Sequence, residues 1–270
     1  MDISKGKKII DFNREQKERI NRELERFYVQ SGATYGSTLQ FGSWDYVKMI
    51  ASKFSVLSVF LPMKDKELGA LLYHTKEISY MLVNSAIPQA NRNFAYCHEL
   101  YHAMNPGKML LKHGLEMFLD MDYQDSEDEK MANAFAGGLM MPEEKIKGAY
   151  AAFQKESESV QETTARTAEC FGAPFAAAAI RIFELGLCND AGELEKLLNM
   201  RKEEIYKLYE KYWLNTEHLK PSGSNQFASL KKLMETQAVK LQEEDLLSDK
   251  DAKYILRKLE QLYREIGEER

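Results

Sequence analysis

His98-Glu99-Leu100-Tyr101-His102 reads H-E-x-x-H. On a helix, residues four apart stand one above the other, so both imidazoles can bind one metal ion. Glu99, beside the first histidine, can reach a water on that ion and take its proton. A zinc hydrolase needs this combination of ligands for the ion and a base for the water. The spacing predicts one zinc ion per chain, His98 and His102 as metal ligands, and Glu99 as the catalytic base. A third protein ligand is still required. Metzincins place a third histidine six residues after the second and a glycine in between. Here those positions are Lys108 and Asn105, which excludes that class.

The other common solution is a glutamate from a following helix. Glu129, Asn133 and Ala136 share one face of such a helix. Glu129 could ligate the metal, and Asn133 could accept a hydrogen bond from the outer nitrogen of His98 or His102. Ser126-x-x-Glu129 is also a capping box, in which the glutamate reaches back to the cap's own N–H. Glu116, Asp120 and Asp122 are rival ligands that local spacing does not exclude.

The motif sits in the last turns of a helix expected over about 89–104, which Asn105-Pro106-Gly107 stops. Three short β-type runs precede it, at 55–61, 69–75 and 78–84, after a helix over about 43–54. Residues 8–30 carry one apolar stripe (Ile9, Ile20, Leu24, Phe27, Tyr28) and read as a helix. A short helix is expected at 110–119. A stronger one begins near Ser126 and ends before Pro142. Beyond it nearly everything reads as helical, at about 143–155, 158–171, 174–185, 190–212, 225–242 and 248–267.

The chain has 270 residues, 44% hydrophobic and 29% charged, ordinary for a globular protein with room for a full core. Its net charge of -5 gives no support to a nucleic-acid binder driven by bulk electrostatics. The start is polar and lacks the apolar segment of a signal peptide. The most apolar runs, Val56 to Met63 and Ala173 to Phe183, are too short to span a bilayer. A cytoplasmic protein with no membrane partner is therefore expected. Three cysteines, Cys97, Cys170 and Cys188, without C-x-x-C spacing, do not form a disulfide framework. Cys97 adjoins His98, but helix neighbours point about 100° apart, so both cannot easily face one ion.

Phe94-x-x-x-His98-Glu99-Leu100-Tyr101-His102 is followed by Glu129-x-x-Ala132-Asn133-x-Phe135-Ala136-x-x-Leu139-Met140-Met141-Pro142. This pair of segments resembles the ImmA/IrrE family of metallopeptidases, whose pattern is approximately F-x-x-x-H-E-L-G-H, then E-x-x-A-[ND]-x-F-A-x-x-L-[LM]-M-P. The resemblance implies that His98, His102 and Glu129 are zinc ligands and Glu99 the base, in a gluzincin-like site. It implies an α+β, zincin-like fold, with a small sheet packed on the motif helix and the Glu129 helix, then a mostly helical C-terminal region. Tyr101 departs from the family's usual glycine, which bears on substrate preference more than on metal binding. Residues 165–187 are similar to the family's following helix pair, with Ala173-Pro174 in place of its Val-Ser turn. The likeness covers about residues 40–187. The resulting division is an extension at 1–40, a metallopeptidase core at 41–145, a helix-turn-helix-like hairpin at 146–190 and a helical appendage at 191–270.

The expected activity is site-specific cleavage of a protein by zinc-activated water. The resemblance implies a DNA-binding repressor as substrate, from a phage, a mobile element or a stress response. An oxyanion donor is expected, with Tyr101, His113, Tyr123 and His74 as candidates for oxyanion or substrate contacts. A substrate strand is expected to pair with an exposed sheet edge at 78–84. The alternative reading is a regulatory protein-binding or DNA-binding protein with a zinc site and little proteolysis. Direct nucleic-acid binding is disfavoured, because Pro174 to Leu185 carries one cation, Arg181, where a groove-reading helix offers several basic or amide side chains.

Overall fold

Short runs of aliphatic and aromatic residues build a sheet of three strands. These are β1 (Val56–Leu61), β2 (Ala70–His74) and β3 (Ser79–Asn84). The computed structural model describes residues 3–34, 36, 44–74, 79–105 and 126–267. The strand order is β1-β3-β2, with β1 parallel and β2 antiparallel to β3. The run at 79–84 is therefore the central strand, not the edge expected to receive a substrate. Its alternation of exposed Tyr80 with buried Met81 and Val83 reports which face is covered and says nothing about neighbours on either side. The outer edge of β1 is partly occupied. The Gln226 N–H donates to the Phe60 carbonyl at 2.8 Å, and the Phe60 N–H donates to Gln226 Oε1 at 3.1 Å. β2 forms the other edge.

Twelve α-helices surround this sheet among the described residues, giving an α+β fold with a helical C-terminal part. They are α1 (Ile3–Glu15), α2 (Lys17–Ser31), α3 (Trp44–Ser52), α4 (Gln89–Met104), α5 (Glu127–Met140), α6 (Glu143–Glu156), α7 (Val160–Phe171), α8 (Phe175–Glu184), α9 (Ala191–Asn199), α10 (Lys202–Lys211), α11 (Phe227–Glu243) and α12 (Asp249–Ile266). The short helix expected at 110–119 lies outside the described residues. Two expected helices are each divided. The first breaks at Gln16. The second breaks at Met200, whose extended backbone is followed by Arg201, with the Arg201 N–H donating to Glu204 Oε2 at 2.7 Å to start α10. No described helix is long and apolar enough to cross a membrane.

One apolar core joins these elements, running from Phe27 through Leu72, Tyr96 and Phe135 to Ile182 and Leu197. The N-terminal helices belong to it. Phe27 stacks on Phe54 and meets Phe135 edge-on, at centroid separations of 5.4 and 5.9 Å. Leu24 packs on Gly138 of α5, where a Cβ would lie only 2.8 Å from the leucine Cδ1. Arg26 donates to the carbonyl of Met104 and to Asn105 Oδ1, closing the C-terminal end of α4. These contacts fix α4 and α5, the two helices that carry the candidate chemistry.

Candidate metal centre

The H-E-x-x-H residues lie in the last two turns of α4, as the spacing predicts. α5 crosses beside it, and Ala132 and Ala136 are fully buried at this contact. Ser126 is the N-cap of α5, its Oγ accepting from the Glu129 N–H at 3.3 Å. The Glu129 carboxylate, however, does not return to the cap. It reaches across to α4, with Oε2 at 3.0 Å from His98 Nε2 and Oε1 at 3.2 Å from His102 Nε2. The two Nε2 atoms are 3.2 Å apart. One residue thus serves both sequence readings, its backbone completing the cap and its side chain joining the histidines.

Two Nε2 atoms 3.2 Å apart, each 3.0–3.2 Å from a different oxygen of one carboxylate, suit a tetrahedral ion. Ligand bonds of about 2.0–2.1 Å imply ligand-to-ligand distances of roughly 3.3 Å at tetrahedral angles. The hydrogen bonds behind the site point the same way. His98 Nδ1 lies 3.0 Å from Asn133 Oδ1, an acceptor, which calls for a proton on Nδ1. A neutral His98 then turns its Nε2 lone pair toward the Glu129 carboxylate. A cation between these electron pairs, a metal ion or in its absence a proton on Nε2, relieves their repulsion. His98, His102 and Glu129 therefore form a group that can hold a metal ion.

Charge reinforces this arrangement. Burial alone would lower the His98 pKa, but the hydrogen bond to Glu129 and the nearby Glu99 and Glu129 charges carry it above the ordinary imidazole value. Burial pushes Glu129 upward, and hydrogen bonds from His102 and His98 more than offset it, bringing it to about 2. Glu99 is raised, chiefly by burial. It shares a groove of about 520 Å³ with His98 and Glu129.

The wall of that groove opposite the helices is the loop leading into β2, from Lys66 to Ala70. Gly69 packs so close to α4 that a Cβ there would sit 2.5 Å from the Ala95 Cβ. The loop is held by Asn84, a fully buried amide. Its Nδ2 donates to the carbonyls of Asp65 and Leu68 at 2.7 and 2.8 Å, and its Oδ1 accepts from the N–H groups of Met63 and Ala86 at 3.0 and 2.9 Å. Sequence reasoning placed Asn84 in a strand and gave it no further part. A lone polar residue ending an apolar strand was the available signal.

Tyr101 lies away from the groove. Its ring is fully buried against Phe135 and His102, and its hydroxyl donates to Asp128 Oδ1 at 3.0 Å. A side chain so enclosed does not reach a substrate, in contrast to the contact proposed from sequence. The other oxygen of Asp128 lies 3.6 Å from His102 Nδ1, a buried atom that makes no hydrogen bond. Asp128 thus faces the outer nitrogen of the second histidine, as Asn133 faces that of the first. Asp128 went unremarked in the sequence because it looked like one of several acidic residues opening a helix. His113, Tyr123, Glu116, Asp120 and Asp122 lie outside the described residues. His74 ends β2.

The hairpin of α7 and α8 packs into the common core. Phe175, Ala178, Ala179, Ile182 and Phe183 are buried, and Arg181 is turned inward to the Met141 carbonyl, 3.2 Å away. The partly covered side of α8 shows Ala176, Ala177 and Ile180, without a basic group.

No curated protein and no solved structure matches the chain. Residues 51–183 match the family model described as peptidase M78, IrrE N-terminal-like domain. The matched span contains the sheet, both histidines, Glu99, Glu129 and the α7–α8 hairpin. Residues 51–183 of this chain are thus an IrrE N-terminal-like domain and belong to the ImmA/IrrE family of metallopeptidases.

Proposed function

We propose that the chain is a zinc-dependent endopeptidase, with His98, His102 and Glu129 holding one zinc ion and Glu99 as the catalytic base. The observation that carries this reading is the convergence of two Nε2 atoms and one carboxylate beside Glu99 in an open groove. The ion supplies Lewis acidity, acidifying a water and polarising a peptide carbonyl. Asn133 holds the His98 imidazole with Nε2 facing inward, and the Asp128 carboxylate stands beside Nδ1 of His102, 3.6 Å away. Glu129 brings negative charge to the site and closes its third corner. Glu99 takes the proton of the attacking water on its carboxylate and delivers it to the leaving nitrogen. Its burial favours this exchange, since a base works best with a pKa near the operating pH. The loop from Lys66 to Ala70, at the start of the edge strand β2, offers backbone along which an extended substrate can lie.

The substrate class we propose is a DNA-binding repressor. Family resemblance alone supports it, and a helix-turn-helix repressor encoded beside this gene is the first protein to test. For the metal, the experiment is zinc analysis of the purified wild type, Glu129→Ala and Glu116→Ala. One zinc per chain is expected in the wild type and in Glu116→Ala, with loss in Glu129→Ala. Zinc retained in Glu129→Ala and lost in Glu116→Ala overturns the ligand set.

A further inference from the structure

We propose that the groove continues into an apolar pocket that takes a large apolar side chain of the substrate, next to the bond that is cut. The proposal rests on the endopeptidase reading and names a substrate feature for it. A second cavity, of about 330 Å³, adjoins the groove and shares Phe94, Asn133 and Pro174 with it. Asn133 is the residue on His98 Nδ1, and Phe94 lies one helical turn before His98. The cavity therefore opens directly behind a metal ligand.

Most of its remaining lining surface is apolar, with Lys5 and Lys130 also in the wall. Ile9 and Phe12 come from α1, and Ala176, Ala177 and Ile180 from α8. All five are only partly buried, with apolar surface left for a ligand to cover. The acidic group in the wall is already engaged. Glu184 is paired with Arg181 and accepts from Asn13 Nδ2 at 2.9 Å. This pairing leaves Glu184 no demand for a cationic side chain, and a carboxymethyl compound tests whether Lys5 and Lys130 draw an acidic one.

A glycine gives a second and independent indication. Gly137 and Gly138 are adjacent in α5, and glycine inside a helix is destabilising relative to alanine. Gly138 has a packing reason, since Leu24 occupies the space of its side chain. Gly137 has none: a Cβ there would meet no heavy atom of the described residues within 4 Å. It faces the cavity, and its missing side chain leaves room for an occupant. The α1 wall lies outside the matched span 51–183, so part of the pocket is supplied by this chain's own N-terminal segment.

The test uses the full-length, zinc-loaded protein and a set of peptide-like hydroxamates. These differ only in the side chain beside the chelating group: hydrogen, isobutyl or carboxymethyl. Binding is measured by calorimetry, alongside zinc content and melting temperature. The isobutyl compound is expected to bind at least about 10-fold tighter than the hydrogen compound, with carboxymethyl showing no gain. Gly137→Leu fills the cavity from a position with open space, and Ile9→Glu makes its wall polar. Both are expected to bring the isobutyl preference close to 1 while leaving zinc content and hydrogen-compound affinity unchanged. Zinc retained with no isobutyl preference in the wild type overturns the pocket and leaves the endopeptidase reading standing. A preference that survives both folded variants also overturns it, because the side chain then lies elsewhere. If the wild type neither holds zinc nor binds the hydrogen compound, the endopeptidase reading fails and the pocket falls with it.

Discussion

The two ends of the chain both lie outside the matched span 51–183, and both read as charged helices with an apolar stripe. The structure uses them in opposite ways. The stripe of α2 (Ile20, Leu24, Phe27, Tyr28) is buried in the core, and α1 walls the cavity beside the metal centre. At the other end, Ala252 is the one buried residue described in α11 and α12. Val239, Leu246 and Tyr254 remain 54%, 71% and 65% exposed. The hairpin is tied to the body mainly through backbone at its ends, as where the Lys64 N–H donates to the Ile266 carbonyl at 2.9 Å. An amphipathic stripe shows that a helix has a face to cover, and only the three-dimensional partner shows whether it is covered.

The contrast can be broken most directly by truncating one apolar side chain at each end. Phe27→Ala removes a fully buried ring packed between Phe54 and Phe135 and is expected to cost about 3–5 kcal/mol in denaturant unfolding. A cost near zero would show that α2 is not part of the core. At the metal centre, Asp128→Ala and Asn133→Ala are each expected to weaken zinc binding by about 10–100-fold in competition with a chelator. Tyr101→Phe, which removes only the hydroxyl on Asp128, is expected to cost about 1 kcal/mol of stability.

A smaller effect comes from pH. In metal-free protein the Glu129 carboxyl is held down to about 2, below its unfolded value of about 4.3. A depressed carboxyl contributes stability above the unfolded pKa and loses it as pH falls through the folded one. The stability difference between metal-free wild type and Glu129→Gln is therefore expected to shrink between about pH 4.3 and 2. A difference that is constant over that window contradicts the His–Glu129 hydrogen bonds. The smallest effect belongs to the C-terminal hairpin, where Val239→Ala is expected to change stability by less than about 0.5 kcal/mol. A loss of several kcal/mol there would show that the exposed face is covered in solution.

The parts legible in the sequence were those governed by local rules. The three strands, the motif helix and the Glu129 helix appear close to their expected limits because period, cap and stop residues are encoded within a few positions. Residue spacing also brought Asn133 to a histidine. What escaped was pairing between distant segments. Alternation in Ser79–Asn84 could not say that β1 and β2 would flank it on both sides. Tyr101 looked like a change in the groove wall because nothing in the sequence tied its hydroxyl to Asp128, 27 residues on. Asn84 and Arg26 were unreadable for the same reason, since the carbonyls they hold, and the Asn105 side chain on Arg26, are brought near by the fold.

Glu99→Gln tests the central claim most directly, because it keeps the shape of the side chain and removes its ability to take a proton. Zinc content and cleavage of a proteome-derived peptide library, read by mass spectrometry, are measured together for wild type and variant. The account predicts one zinc per chain in both proteins and cleavage by the wild type alone. Cleavage that persists in the zinc-loaded variant contradicts it.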